Sequence, residues 1–261
     1  ISSISIDKPF GTVAILGKNN QNIIINHLSI SGGSSDWISG TYFSGGMSIH
    51  YSDSVYIDNS IFSDNKSEDG LNVKNCKDLI INNCIFKNNF LDQVDLDYCV
   101  GTVTNSQFFS TENRIMNGDG LDLSGSDMII YNNSFKNFAD KGVSTGEESN
   151  ALIVNNFISN NNIGIAIKDL SIVYTTNNEY NENAVDLSAY QKKSIFGGGH
   201  LYTFDNDLQK YGLSVEKDKL SNIYYKDNFD KLILSKIKKS NYDVITIIKE
   251  LKDYYSYRIQ K

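Results

Sequence analysis

The 261-residue chain holds one proline, Pro9, and only three cysteines, Cys76, Cys84 and Cys99. An odd cysteine count without metal-ligand spacing implies neither a disulfide framework nor a zinc site. No apolar run approaches the roughly 20 residues needed to cross a bilayer, so no membrane span is expected. Basic residues are also in short supply, 24 against 31 acidic ones, for a net charge of −7. That balance argues against nucleic acid as a partner, because phosphates call for a basic face. The chain opens at Ile1 without a methionine or a charged-then-apolar leader, as expected of a mature or excised fragment.

Hydrophobic residues make up 40% and charged residues 21% of the chain, a composition that folds. Its length is enough to bury a full-sized core. Short segments that alternate apolar and polar residues recur along it, such as Gly70-Leu-Asn-Val-Lys74, Gly120-Leu-Asp-Leu-Ser124 and Gly164-Ile-Ala-Ile-Lys168. Their first apolar residues are Met47, Leu71, Val94, Leu121, Val143, Ile165 and Val185, at steps of 24, 23, 27, 22, 22 and 20. A second register, Asn59, Asn83, Asn105, Asn132, Asn155 and Asn177, steps by 24, 22, 27, 23 and 22. Three residues after each asparagine come Phe62, Phe86, Phe108, Phe135, Ile158 and Tyr180. Both registers carry the same 27-residue step, so one insertion near 110–118 explains both.

Such self-similarity is the signature of a solenoid. No coil buries its own apolar face, but coils stacked at about 4.8 Å share one continuous core. Asparagines at a tight turn tolerate left-handed backbone angles and hydrogen-bond along the stack. The aligned phenylalanines would form an internal aromatic column. Cys76 and Cys99 lie five residues after Leu71 and Val94 in adjacent coils. They either bridge or stack as small buried thiols, and the thiols are favoured.

The spacing, asparagine ladder and strand patterns resemble the right-handed parallel β-helix of pectate lyases, polygalacturonases and related polysaccharide-active proteins. The resemblance covers roughly residues 11–205, and implies an all-β solenoid of about seven to eight coils of about 23 residues. Residues 1–205 are therefore expected to form the β-helix, and 206–261 a C-terminal capping or helical extension. Val244, Ile247, Ile248, Leu251, Tyr254 and Tyr255 follow helical spacing behind Asn241 or Asp243 as cap. Residues 226–261 hold nine basic and five acidic side chains, a +4 tail on a −11 body. This helix either caps the open end of the solenoid or docks other domains of a parent chain. Location outside the cell or on its surface is implied by the fold alone.

With Leu71, Leu121 and Ile165 inward, their neighbours face solvent. One outward column reads Ser48, Asn72, Asp95, Asp122, Ser144, Ala166, Asp186, and the next His50, Lys74, Asp97, Ser124, Gly146, Lys168, Ser188. Before the strands runs Asp69, Asp92, Asp119, Asp140, as turn caps or as a site. Carboxylates stacked this closely raise one another's pKa or recruit a cation, and are what glycoside hydrolysis uses.

In the polygalacturonase comparison, Asn117-Gly118-Asp119-Gly120 resembles that family's Asn-Thr-Asp, and Asp140 falls where its paired acids begin. Lys141 replaces the second acid of that pair, Asn162-Ile163-Gly164 stands at the histidine motif, and Arg-Ile-Lys is absent. The outward aspartate cluster, with Asp119 and Asp140 also matching the family's acids, makes Asp119, Asp122 and Asp140 the acid/base candidates and Asp95 and Asp97 the residues expected to bind substrate or Ca²⁺. A lyase of this fold would draw its base from Lys74, Lys141, Lys168 or Arg114, with His50 on the same face. Trp37 and Tyr42, in a long loop over 31–46, suit stacking against sugar rings. Two functions follow: a polysaccharide-binding or structural module of a larger secreted or surface protein, or a lyase, hydrolase or epimerase on an acidic polysaccharide. The incomplete motifs and the separate C-terminal helix point to the module.

Overall fold

The computed structural model describes residues 1–5, 8–17, 21–111, 118–203, 212–225 and 243–256. Its core is a parallel β-solenoid whose strands stack in three columns, the first two running on past the end of the third. The first column includes Asp92–Asp97, Leu121–Ser124, Lys141–Gly146, Ile163–Lys168 and Val185–Tyr190. The second includes Val100–Thr104, Asp127–Tyr131, Asn150–Val154 and Ile172–Thr176. The third is a seven-stranded sheet running from Ser29–Ser31 to Glu179–Asn181. Two 14-residue strands, Gly45–Asp58 and Asp69–Asn82, pass through the corner between the first two columns and join them into one 16-stranded sheet.

The corners explain why asparagine recurs. Asn59, Asn83, Asn105, Asn132, Asn155 and Asn177 all have φ between 49° and 58°, the left-handed region that asparagine enters at low cost. The residue after each turns inward. Asn133 Nδ2 donates to Asn156 Oδ1 at 3.0 Å, and Asn156 Nδ2 to Asn178 Oδ1 at 3.0 Å, so buried amides satisfy one another up the stack. The phenylalanine column is continuous: ring centroids lie 5.1, 4.9 and 4.6 Å apart from Phe62 through Phe86 and Phe108 to Phe135. Cys76, Cys84 and Cys99 are free and buried, and burial pushes the Cys76 and Cys84 thiols up to about 11.

Three details differ from the sequence reading. In the last regular coil Leu187, not Val185, pairs with Ile165, which places Ser188 beside Ala166 and Tyr190 beside Lys168. The 20-residue step to Val185 would break the 22-residue period that the asparagine ladder keeps, and the ladder wins. The 31–46 loop contains an antiparallel hairpin, Asp36–Ile38 with Thr41–Phe43. Strand pairing also continues past residue 205, through Val215–Lys217 and Asn222–Tyr225.

Helix α1, Val244–Ser256, starts at Asp243, whose Oδ1 accepts from the Thr246 N–H at 3.1 Å. Asn241, the other candidate cap, lies outside the described residues. The helix lies on the flank of the second column rather than across the end of the solenoid. That flank carries Ile129, Leu152, Val154 and Tyr174 outward, and Val244, Ile247, Ile248 and Leu251 cover it. An apolar stripe of this size needs such a cover to stay out of water.

Candidate functional site

Register brings the outward residues of the first column together. Ser48, Asn72, Asp95, Asp122, Ser144 and Ala166 stand side by side on successive strands, as do His50, Lys74, Asp97, Ser124 and Gly146. Over the lower coils they floor a cleft of about 380 Å³, lined also by Tyr42, Ser44, Glu68, Asp69, Leu91 and Asp92. The hairpin closes one end: Phe43 stacks on the His50 ring at 4.7 Å, and Tyr42 reaches the cleft while packing 5.2 Å from Trp37.

A hydrogen-bond relay crosses the floor. His50 Nε2 lies 2.8 Å from Asn72 Oδ1, and Asn72 Nδ2 donates to Asp95 Oδ2 at 3.0 Å and Asp97 Oδ2 at 3.5 Å. With the amide donating to carboxylates, its oxygen is left to accept, which assigns the proton to His50 Nε2. Burial lowers the His50 pKa, and the nearby Lys74 adds to that. Lys74 itself stands 3.8 Å from Asp97.

Six carboxyls line the cleft: Glu68, Asp69, Asp92, Asp95, Asp97 and Asp122. Burial pushes Asp69 up to about 7, and the charges of Glu68, Asp97 and Asp122 add to it. Burial and the crowd of neighbouring aspartates hold Asp92 and Asp95 well above the usual carboxylate range. Asp97 is raised by burial while Lys74 pulls it back. Asp69, at about 7, is therefore part-protonated near neutral pH, and the upward shifts of Asp92 and Asp95 favour the protonated form that can donate as well as accept hydrogen bonds.

The three acid/base candidates, Asp119, Asp122 and Asp140, sit differently. Lys141, not Asp140, occupies the strand position beside Asp119, because Leu121 pairs with Val143 and Lys141 with Ile163. Its ammonium is buried between Asp119, 3.3 Å away, and Asp140. The Asp119 Oδ1 also accepts from the Lys141 N–H at 3.0 Å. Burial still raises Asp119 to about 6 against the pull of Lys141. Asp122 alone of the three lines the cleft, with buried Lys168 3.6 Å from it. Arg114 lies outside the described residues. Among the described residues no group of three or more His, Cys, Asp or Glu is placed to hold a metal ion, and Asp95 and Asp97 stand on neighbouring sites of one strand.

Sequence reasoning had Asp69 and Asp92 in a pre-strand column without separating cap from site. Asp92 is both: its Oδ1 accepts from the Asp119 N–H at 2.7 Å while it lines the cleft. Ser44, Glu68 and Leu91 were missed, since they come from turns whose approach to the cleft leaves no periodic trace.

The raised carboxyls set the pH response. Each binds its proton more tightly folded than unfolded, so its stabilisation is complete below about pH 4 and lost as pH rises through the folded value. With Asp69 near 7 and Asp119 near 6, the melting temperature should fall between about pH 4 and pH 7. Thermal melts across this range check it. A melting temperature that climbs from pH 4 to pH 7 would contradict the assignment.

The stacked columns, turning corners and inward ladders are matched by sequence comparison: the description "Right handed beta helix region" fits residues 5–126 and 97–229. The chain belongs to the right-handed β-helix family. Among solved structures, an alginate lyase from Paenibacillus sp. str. FPU-7 superposes with a TM-score of 0.56 at 11% identity, covering 84% of this chain and 87% of that one. The catalytic unit of a thermostable GH87 α-1,3-glucanase from Streptomyces thermodiastaticus strain HF3-3 gives a TM-score of 0.26 at 10% identity, over 82% of this chain and 54% of that one. No curated protein matches the sequence. At 11% identity the likeness to the alginate lyase is one of fold.

Proposed function

We propose that this β-helix is a glycan-binding module whose cleft recognises a neutral polysaccharide. The observation that carries the reading is the fate of the acids. Asp119 and Asp140 are both engaged by the buried Lys141, and the neighbouring cleft presents carboxyls shifted toward their protonated forms, an amide and an imidazole. Such a mixture of donors and acceptors suits sugar hydroxyls. A uronate chain would bring further negative charge into a cleft lined by six carboxyls, with Lys74 in the lining and the buried Lys168 already beside Asp122. A fold shared with an alginate lyase supports a carbohydrate role without choosing the sugar.

A second reading, a hydrolase of neutral glycans, is favoured by one feature: burial and neighbouring aspartates shift Asp92 and Asp95 upward, the direction a general acid needs. Mass spectrometry of glycans incubated with the protein separates the two. Unchanged chains are expected. Hydrated oligosaccharides would establish the hydrolase, and products lighter by one water a lyase.

A further inference from the structure

We propose that Tyr51 and Tyr98 form a stacking rail along the cleft, on which an extended pyranose chain lies parallel to the solenoid axis. The inference rests on the glycan-binding reading. Tyr51, Asn75 and Tyr98 each follow a residue of the cleft floor, His50, Lys74 and Asp97, which pair in register. All three sit at the corner beyond the first column with φ of 60°, 56° and 52°. Asparagine tolerates this left-handed conformation, and an aromatic residue is a poor choice for it. The corner thus holds tyrosine where folding alone favours asparagine or glycine.

Neither ring is spent on the core. Tyr51 is 52% exposed and Tyr98 54%, and each is the chain neighbour of a residue that lines the cleft, His50 and Asp97. The Tyr98 ring leans over the next coil onto Gly125, where an added Cβ would lie 2.7 Å from two ring carbons. Gly125 therefore leaves the space in which that ring rests. The two residues belong to coils two apart, with their backbones about 10 Å apart along the axis at ordinary strand spacing. That separation matches two consecutive pyranose units in an extended chain. Trp37, 68% exposed on the hairpin at the end of the cleft, extends the aromatic edge. Aromatic faces take up the apolar faces of sugar rings, and the polar floor beside them takes the hydroxyls.

The test is calorimetric titration of the wild type, Tyr51→Asn, Tyr98→Asn, and the two Tyr→Phe variants. The probes are cellohexaose, laminarihexaose and mannohexaose, with the matching disaccharides. Each Asn variant should lose about tenfold in affinity for the bound hexasaccharide, and each Phe variant about twofold at most. Asparagine suits the corner, so melting temperatures of the Asn variants should hold or rise. A structural role for the tyrosines predicts that they fall. Hexasaccharide binding that is unchanged in both Asn variants overturns the rail and leaves the glycan-binding reading standing. Wild type that binds none of the three hexasaccharides overturns both.

Discussion

Lys141→Met is expected to lower folding stability by about 3–5 kcal/mol at pH 8, the cost of leaving a buried charge without its partner. Lys141 and Asp119 are each more than nine-tenths buried, so water cannot take over the interaction. The loss should shrink on acidification. Burial already raises Asp119 to about 6 with the ammonium beside it, and removing the ammonium raises it further. The variant thus regains stability by taking up a proton, and loses it as pH rises through the new value. Asp119→Asn should cost less, because Lys141 keeps Asp140. Denaturant melts at pH 5 and pH 8 check both statements. A Lys141→Met loss that is below about 1 kcal/mol at pH 8, or independent of pH, would show that the triad is solvated.

Phe108→Ala is expected to cost about 3–5 kcal/mol, in the upper range of cavity-forming substitutions. Its ring is fully buried between Phe86 at 4.9 Å and Phe135 at 4.6 Å. Coils above and below are fixed by their own ladders, so the gap has little room to collapse. Phe108→Leu keeps the column filled and should lose less than half as much. Equal losses for the two variants, measured by urea unfolding, would mean that stacking rather than filled volume holds the column.

Fold and site were legible in the sequence to different depths, for a physical reason. A solenoid repeats its constraints every coil, so Phe62 to Phe135 and Asn59 to Asn177 announce themselves by spacing. Where a coil's length strays, the reading slips. Counting from Asp119 to Asp140 misses by one residue the lysine that takes the column position, and so turns an ion-paired triad into an acid pair. The cleft floor was legible as Asp95, Asp97 and Asp122 because register is periodic. The turn residues that wall it were not, since Ser44, Glu68 and Leu91 belong to segments of irregular length. The flank under helix α1 was hidden for another reason. Ile129 and Leu152 look like ordinary strand residues until the cover that buries them is seen.

The central claim is that the carboxyl-lined cleft binds uncharged sugar. Its most direct test is calorimetric titration of the protein at pH 6 with neutral hexasaccharides and with oligogalacturonate and oligoalginate of equal length, each with and without Ca²⁺. Saturable binding of a neutral chain is expected, unaffected by Ca²⁺, and lost when Asn72 and Asp95 are both replaced by alanine. Tight binding of a uronate chain, with neutral chains ignored, would contradict it.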